Sequence, residues 1–564
     1  MKFSEFKYER INYQEVEKKL TKLLDELEKQ TKAEDFINLF KEIEAVNSHL
    51  NTMHSLASIR HSINTNDEFY SKENDFWDEN EPKFRVFYNR FAKICLAFKN
   101  KADLYHYIPE IFFKQIEFEL KSFDEKIIPL LIEENKLSTE YGKLKASAQI
   151  EFDGNNYNLS SISKFLQSDN RETRKRAYNA KMKFYKDNEQ EFDRIYDELV
   201  QLRTKIAHKL GYKTFTELGY FRMHRYDYDQ KMVANFRKQI LNDLVPLVSE
   251  LYQKQADRLG LEKLAYYDFP YKFLSGNPTP KKDPDGLVKA AAEMYHQMHK
   301  KTGEFIDMMI NQELWDLLSR DGKEIGGYCM SLSEYRVPFI FANFNGTSHD
   351  VDVLTHEAGH AFQYYMSRDI PVETCKWPTM ESCEIHSMSM EFFAHPWMKD
   401  FFGEDTEKYY YSHITGALDF LPYGVLVDHF QHEIYDNPKM TPAERKDTWR
   451  KLEKLYIPEK DYKGCEILEK GAYWFQQGHI FQSPFYYIDY TLAQVCALQF
   501  WTRTHQKDPQ AFDDYLRLCT LGGTLPFNKL IKKVGLNCPF EDGSVGAVVR
   551  QAKKYLSTID DTKL

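Results

Sequence analysis

VDVLTHEAGHAFQYY, residues 351–365, places two histidines four positions apart with a glutamate directly after the first. On an α-helix of about 3.6 residues per turn, positions four apart stand one above the other, so His356 and His360 can offer imidazole nitrogens to one ion. Glu357 falls on the adjacent flank, within reach of a water on that ion. Leu354, Ala358, Ala361, Phe362 and Tyr365 make an apolar stripe along the same stretch, which predicts an amphipathic helix with one face in a core. Chance is a poor source of the pattern: with 18 histidines among 564 residues, about 0.05 H-E-x-x-H matches are expected per chain.

The segment just upstream has a different character. EYRVPFIFANFNGT (334–347) is rich in β-formers and closes on Asn345-Gly346, so it reads as a strand followed by a turn. Thr347-x-x-Asp350 has the form of a capping box opening the motif helix. A strand beside the motif helix could hold an extended backbone by strand addition.

A catalytic zinc needs a third protein ligand and an open fourth position. A third histidine six residues on is excluded, because that position is Met366. Pro371 and Pro378 break the chain, and MESCEIHSMSMEFFAH (380–395) can return antiparallel as a second helix. Glu384, Met388 and Glu391 share one stripe of it, and carboxylates on a half-buried face are costly unless they bind something. Glu384 is the expected ligand, Glu381 the runner-up, and Glu391 the carboxylate that orients a ligand histidine. His349, at the helix start, reads as a capping or solvated residue, His386 and His395 read as packed or as partners that support the ligands rather than as ligands, and Met388 and Met390 read as core.

Elsewhere helical periodicity dominates, over 14–47, 110–134 and 161–262. Residues 145–160 read as a small hairpin turning at Asp153-Gly154, and 269–286, with four prolines, as a surface loop. At 564 residues two or more packed units are expected. The net charge of −10 argues against nucleic acid as a partner, and no run of eighteen apolar residues could span a membrane. Eight scattered cysteines without a C-x-x-C pair, and an N-terminus lacking an apolar run of signal-peptide length, read as reduced thiols in a cytoplasmic protein.

HEAGHAFQ followed by ESCEIHSMSMEFF resembles the oligoendopeptidase F and Pz-peptidase branch of the thimet-oligopeptidase-like zinc peptidases. The resemblance extends over most of the chain from about residue 150, including KIAHKLGYKTFTELGYFRMHRYDYD (205–229). It implies a mainly α zinc-peptidase fold enclosing a deep substrate channel, with a small β-sheet beside the active-site helix. It implies one zinc per chain on His356, His360 and Glu384, Glu357 as general base for the water that zinc activates, and short peptides as substrates. It divides the chain into an N-terminal helical region, 1–145, forming part of the channel wall, and a catalytic region, 146–564.

The family also carries a C-terminal loop whose histidine and tyrosines polarise the scissile carbonyl. The matching stretch is GHIFQSPFYYIDYTLAQV (478–495), where His479, Tyr487 and Tyr490 fit, with Tyr486 as an alternative. Unlike the glycine-rich loop of the thimet branch, IFQSPFYY has no glycine after His479. The function so implied is a zinc oligoendopeptidase cutting internal bonds of short peptides. The alternatives are a zinc carboxypeptidase, which would need a cationic pocket for a free carboxylate, and a catalytically inactive helical binding protein.

Overall fold

The computed structural model describes residues 1–159, 161–320, 322–324, 326–344 and 346–564. Helices hold 69% of the residues, and the sheets are small, in line with the mainly α expectation. The periodic segment 14–47 resolves into two helices, α1 (Tyr13–Leu27) and α2 (Ala33–Ile63). The polar stretch 28–32 breaks them, and the reversal lets both pack on α3 (Glu68–Ala97). Residues 110–134 likewise split into α4 (Glu110–Ser122) and α5 (Ile128–Ala146). Asp124 turns the chain there by accepting from Lys126 N–H, and Pro129 enters the first turn of α5, where no intrahelical donor is needed.

The hairpin forms as expected, with β1 (Ile150–Phe152) antiparallel to β2 (Asn155–Tyr157). Asp153 and Gly154 both take positive φ, 49° and 79°, as a two-residue type I′ connection requires. Helices α6 (Arg171–Asp187) and α7 (Glu189–Lys209) follow, and residues 259–283 run without helix or strand.

Three strands lie ahead of the motif: β3 (Trp315–Leu318), β4 (Tyr328–Leu332) and β5 (Val337–Phe344), in the order β3-β5-β4. The strand expected over 334–347 starts later, because 333–335 form a 3-10 turn and Arg336 adopts the left-handed conformation. Asn345, half of the expected turn, lies outside the described residues, and Gly346 has φ 83°. Strand addition to this segment is ruled out: β5 is the central strand, paired parallel to β3 on one side and antiparallel to β4 on the other. The edge beside it belongs to β4.

The motif helix, α8 (His349–Ser367), packs on β5 and β4. The N-cap is Ser348 rather than Thr347, without a side-chain bond, and the Asp350 carboxylate accepts the Gly346 N–H at 2.8 Å. The second helix, α9 (Met380–Phe393), is buried all round rather than on one face, because α8 and α10 (Ala511–Leu521) both pack on it. Met388 and Met390 are core residues, as expected.

By its internal contacts the chain forms two compact units. The first comprises 1–120, 279–404 and 496–536, and holds α1 to α3, the three-stranded sheet, α8, α9 and α10. The second comprises 121–278, 405–495 and 537–564. Within it, fully buried Arg203 is satisfied by the Glu134 carboxylate at 2.6 Å, the Tyr435 hydroxyl at 2.8 Å and the Phe481 carbonyl at 2.5 Å. Among the described residues no helix is long and apolar enough to cross a membrane, and all eight cysteines are free thiols.

Candidate metal centre and tyrosine cluster

Two clusters hold the residues picked out from the sequence, each inside one unit. In the first unit His356, His360 and Glu384 bring one donor atom each to within 4.8 Å of one another. The helices run antiparallel, since His356 meets Glu391 while Gly359 lies against His386 and Ser387. Their approach depends on Gly359. A Cβ there would stand 2.6 Å from Ser387 Cα and 2.8 Å from the His386 carbonyl oxygen.

Glu384 Oε2 lies 3.4 Å from His356 Nε2 and 3.6 Å from His360 Nε2. Both separations exceed a charge-assisted hydrogen bond, which is about 2.7–2.9 Å. They match instead the edge of a tetrahedron whose centre is about 2.0–2.1 Å from each ligand, roughly 3.3–3.4 Å. His356 Nδ1 donates to Glu391 Oε1 at 2.6 Å, which turns its Nε2 toward Glu384. Burial alone would discharge His356, but the adjacent Glu384 and Glu391 carboxylates hold its pKa well above the ordinary value. Burial would likewise raise Glu384, and the two imidazoles more than reverse that, holding it well below the usual carboxylate range. The pocket therefore favours positive charge between the three side chains. Two imidazoles and one buried carboxylate with this spacing are a donor set that fits zinc.

Glu357 points to the sheet side of α8. Its Oε1 lies 3.7 Å from where a Cβ on Gly327, one residue before β4, would sit. Glu381, the runner-up ligand, is buried away from the trio and accepts from the Thr379 hydroxyl at 2.9 Å. His386 is fully buried, and desolvation pushes its pKa down to about 4, so it is neutral and packed. His349 is exposed.

In the second unit His479 is ringed by three tyrosines. Its ring centroid lies 5.4 Å from Tyr486, 5.0 Å from Tyr487 and 5.6 Å from Tyr490. Tyr490 brings its hydroxyl to within 3.4 Å of His479 Nε2. In place of loop glycines the chain has an anchor. Phe485 takes a left-handed φ of 68°, its N–H donates to Gln431 Oε1 at 3.0 Å, and its carbonyl accepts from Arg225 at 2.8 Å. Its ring fills the notch left by Gly219, where a Cβ would come 2.5 Å from Phe485 Cδ2. Sequence reasoning missed Gln477, whose amide donates to His479 Nδ1 at 2.9 Å. It also missed Gly359, although the glycine inside HEAGH was there to be noticed.

Residues 164–548 match the description Peptidase family M3, and residues 3–123 match the Peptidase M3 N-terminal domain. The chain belongs to peptidase family M3 and is a metalloendopeptidase. It is similar to a solved structure assigned to oligoendopeptidase F, at 48% identity over 100% of both chains with a TM-score of 0.95. It is also similar to Pz peptidase A solved with an inhibitor, at 47% identity over 100% of both chains with a TM-score of 0.93. A Bacillus anthracis structure assigned to oligoendopeptidase F shares 45% identity over 100% of this chain and 99% of that one, with a TM-score of 0.90. Among curated proteins no significant match is found.

Proposed function

We propose that this chain is a zinc oligoendopeptidase in which His356, His360 and Glu384 hold one metal ion, Glu357 is the general base, and Tyr490 with His479 binds the developing oxyanion. The observation that carries the reading is the pair of 3.4 and 3.6 Å separations between the imidazoles and Glu384. Zinc held there supplies a Lewis acid that acidifies water and polarises a carbonyl. Glu357 takes the proton as water attacks the scissile carbonyl carbon, and returns it to the leaving amine as the C–N bond breaks. The Tyr490 hydroxyl donates to the carbonyl oxygen as it gains charge, with Tyr487 and Tyr486 as the neighbouring candidates. Edge strand β4, beside Glu357, is the backbone to which an extended peptide would add. The reading further assigns 1–145 to a channel wall and 146–564 to the catalytic region. The net charge of −10 supports peptides over nucleic acid, and the eight free thiols support the cytoplasm.

The deciding experiment pairs a peptide blocked at both ends with denatured casein containing the same sequence. The blocked peptide should be cut internally, and chelation should abolish the cutting until zinc is restored. Casein should be spared, because confining a long chain in a channel is entropically unfavourable. Cutting only at free C-termini would instead indicate a carboxypeptidase, and rapid cutting of casein at the same site would rule out the closed channel.

Two substitutions probe the parts separately. Glu391→Gln weakens the bond that orients His356 and should lower zinc affinity about 10- to 100-fold, read by competition with a chromogenic chelator. Unchanged affinity would remove Glu391 from the centre. Tyr490→Phe should lower kcat about 10²- to 10³-fold with little change in KM, since an oxyanion donor acts in the transition state. An unchanged kcat would move the role to Tyr487 or Tyr486.

A further inference from the structure

The side chains behind His479 form a chain of hydrogen bonds that fixes which ring nitrogen carries the proton. The Tyr423 hydroxyl donates to Gln477 Oε1 at 2.8 Å. Burial, reinforced by the neighbouring Tyr487 and Tyr473, keeps the Tyr423 phenol protonated, so it has a proton to give. With its oxygen so engaged, the Gln477 carboxamide presents its NH2 to His479 Nδ1 at 2.9 Å. An amide nitrogen only donates, so Nδ1 must offer its lone pair. The single proton of a neutral imidazole then sits on Nε2, the atom 3.4 Å from the Tyr490 hydroxyl oxygen. Nε2–H donates to that oxygen, so the Tyr490 phenol gives its own proton to an acceptor other than His479. The opposite tautomer would take the Tyr490 proton for itself.

We propose that Gln477 is a positioning residue that holds His479 as its Nε2–H tautomer and thereby aims the Tyr490 proton at the scissile carbonyl oxygen. The inference rests on the reading of Tyr490 as the oxyanion donor. Gln477 is itself held on both sides: Tyr423 binds its oxygen, and the preceding Gln476 carbonyl accepts from the Lys145 ammonium at 3.1 Å. The Tyr486, Tyr487 and Tyr490 rings stand around the imidazole, and burial pushes the Tyr487 phenol well above its ordinary value. A carboxylate at position 477 would add a negative charge beside His479.

Gln477→Glu reverses the hydrogen bond, because a carboxylate only accepts. Neutral His479 would then carry its proton on Nδ1, and Nε2 would compete for the Tyr490 proton. Protonated His479 has both N–H groups, so the useful Nε2–H returns at low pH. The pH profile of kcat for the zinc-loaded full chain should thus gain a new limb, with kcat falling about 10- to 100-fold as pH rises through the His479 pKa. That pKa should lie above the ordinary 6.5 because of the added carboxylate. KM and zinc content should stay near wild type, and Gln477→Leu, which leaves both tautomers open, should lower kcat by less than about tenfold without a new limb. A wild-type profile in Gln477→Glu, in a background where Tyr490→Phe lowers kcat, would overturn the role of Gln477. If Tyr490→Phe and His479→Ala both leave kcat unchanged, the oxyanion assignment fails first, and this inference falls with it.

Discussion

Glu357→Gln should retain a full complement of zinc while kcat drops about 10²- to 10⁴-fold, the usual worth of a positioned general base. The glutamine keeps the size of the side chain, and Glu357 is not one of the three residues whose donor atoms converge. Its carboxylate sits on the sheet side of α8 near Gly327, so the isosteric change disturbs no packing that the ligand residues depend on. Metal analysis and steady-state kinetics on one preparation check both halves. A variant that lost zinc would make Glu357 a structural part of the centre, and one that kept full turnover would put the base elsewhere.

Gly359→Ala should be as damaging by a wholly different route. The added methyl would meet Ser387 Cα at 2.6 Å and the His386 carbonyl at 2.8 Å, where carbon contacts are ordinarily about 3.5–4.0 Å. Both obstacles are backbone of α9, so neither yields by a side-chain rotation. Relief requires α8 and α9 to part, and the parting is transmitted directly to the His360–Glu384 separation of 3.6 Å. Overpacking of this kind costs about 1–3 kcal/mol, and zinc affinity should fall at least about tenfold in addition. Thermal unfolding with and without excess zinc, together with metal content, tests this. A variant with wild-type melting and one bound zinc would show that the helices have room the structure does not give them.

Much of this site was legible because local geometry is written into covalent spacing. Two histidines four apart on a helix must share a face, and the spacing of Glu384 and Glu391 on the next helix puts both toward the same partner. What the sequence hid depends on contacts distant along the chain. Nothing around Gln477 announces that Tyr423 will orient its amide, and nothing around Arg336 announces a left-handed residue that delays β5. The segment 334–347 read as a strand from its composition, yet composition does not say which strands flank it, and β5 proved to be central. The periodicity of 14–47 hid a reversal for a related reason. Apolar spacing reports which face is buried, and that face stays apolar on both sides of a polar break.

Phe485 and Gly219 bear on how this sequence can drift. The ring occupies the volume a side chain at 219 would need, so the two positions cannot vary independently. Enlarging residue 219 alone would expel Phe485 from its notch, and shrinking residue 485 alone would leave a void and free the turn that leads into Tyr486, Tyr487 and Tyr490. A left-handed non-glycine residue stores about 1–3 kcal/mol of backbone strain, which the packed ring offsets here. Chains that place glycine at 485 have no such strain to offset and no ring to house. Sequences descended from a common ancestor should therefore fall into two groups at this pair, with few intermediates surviving between them.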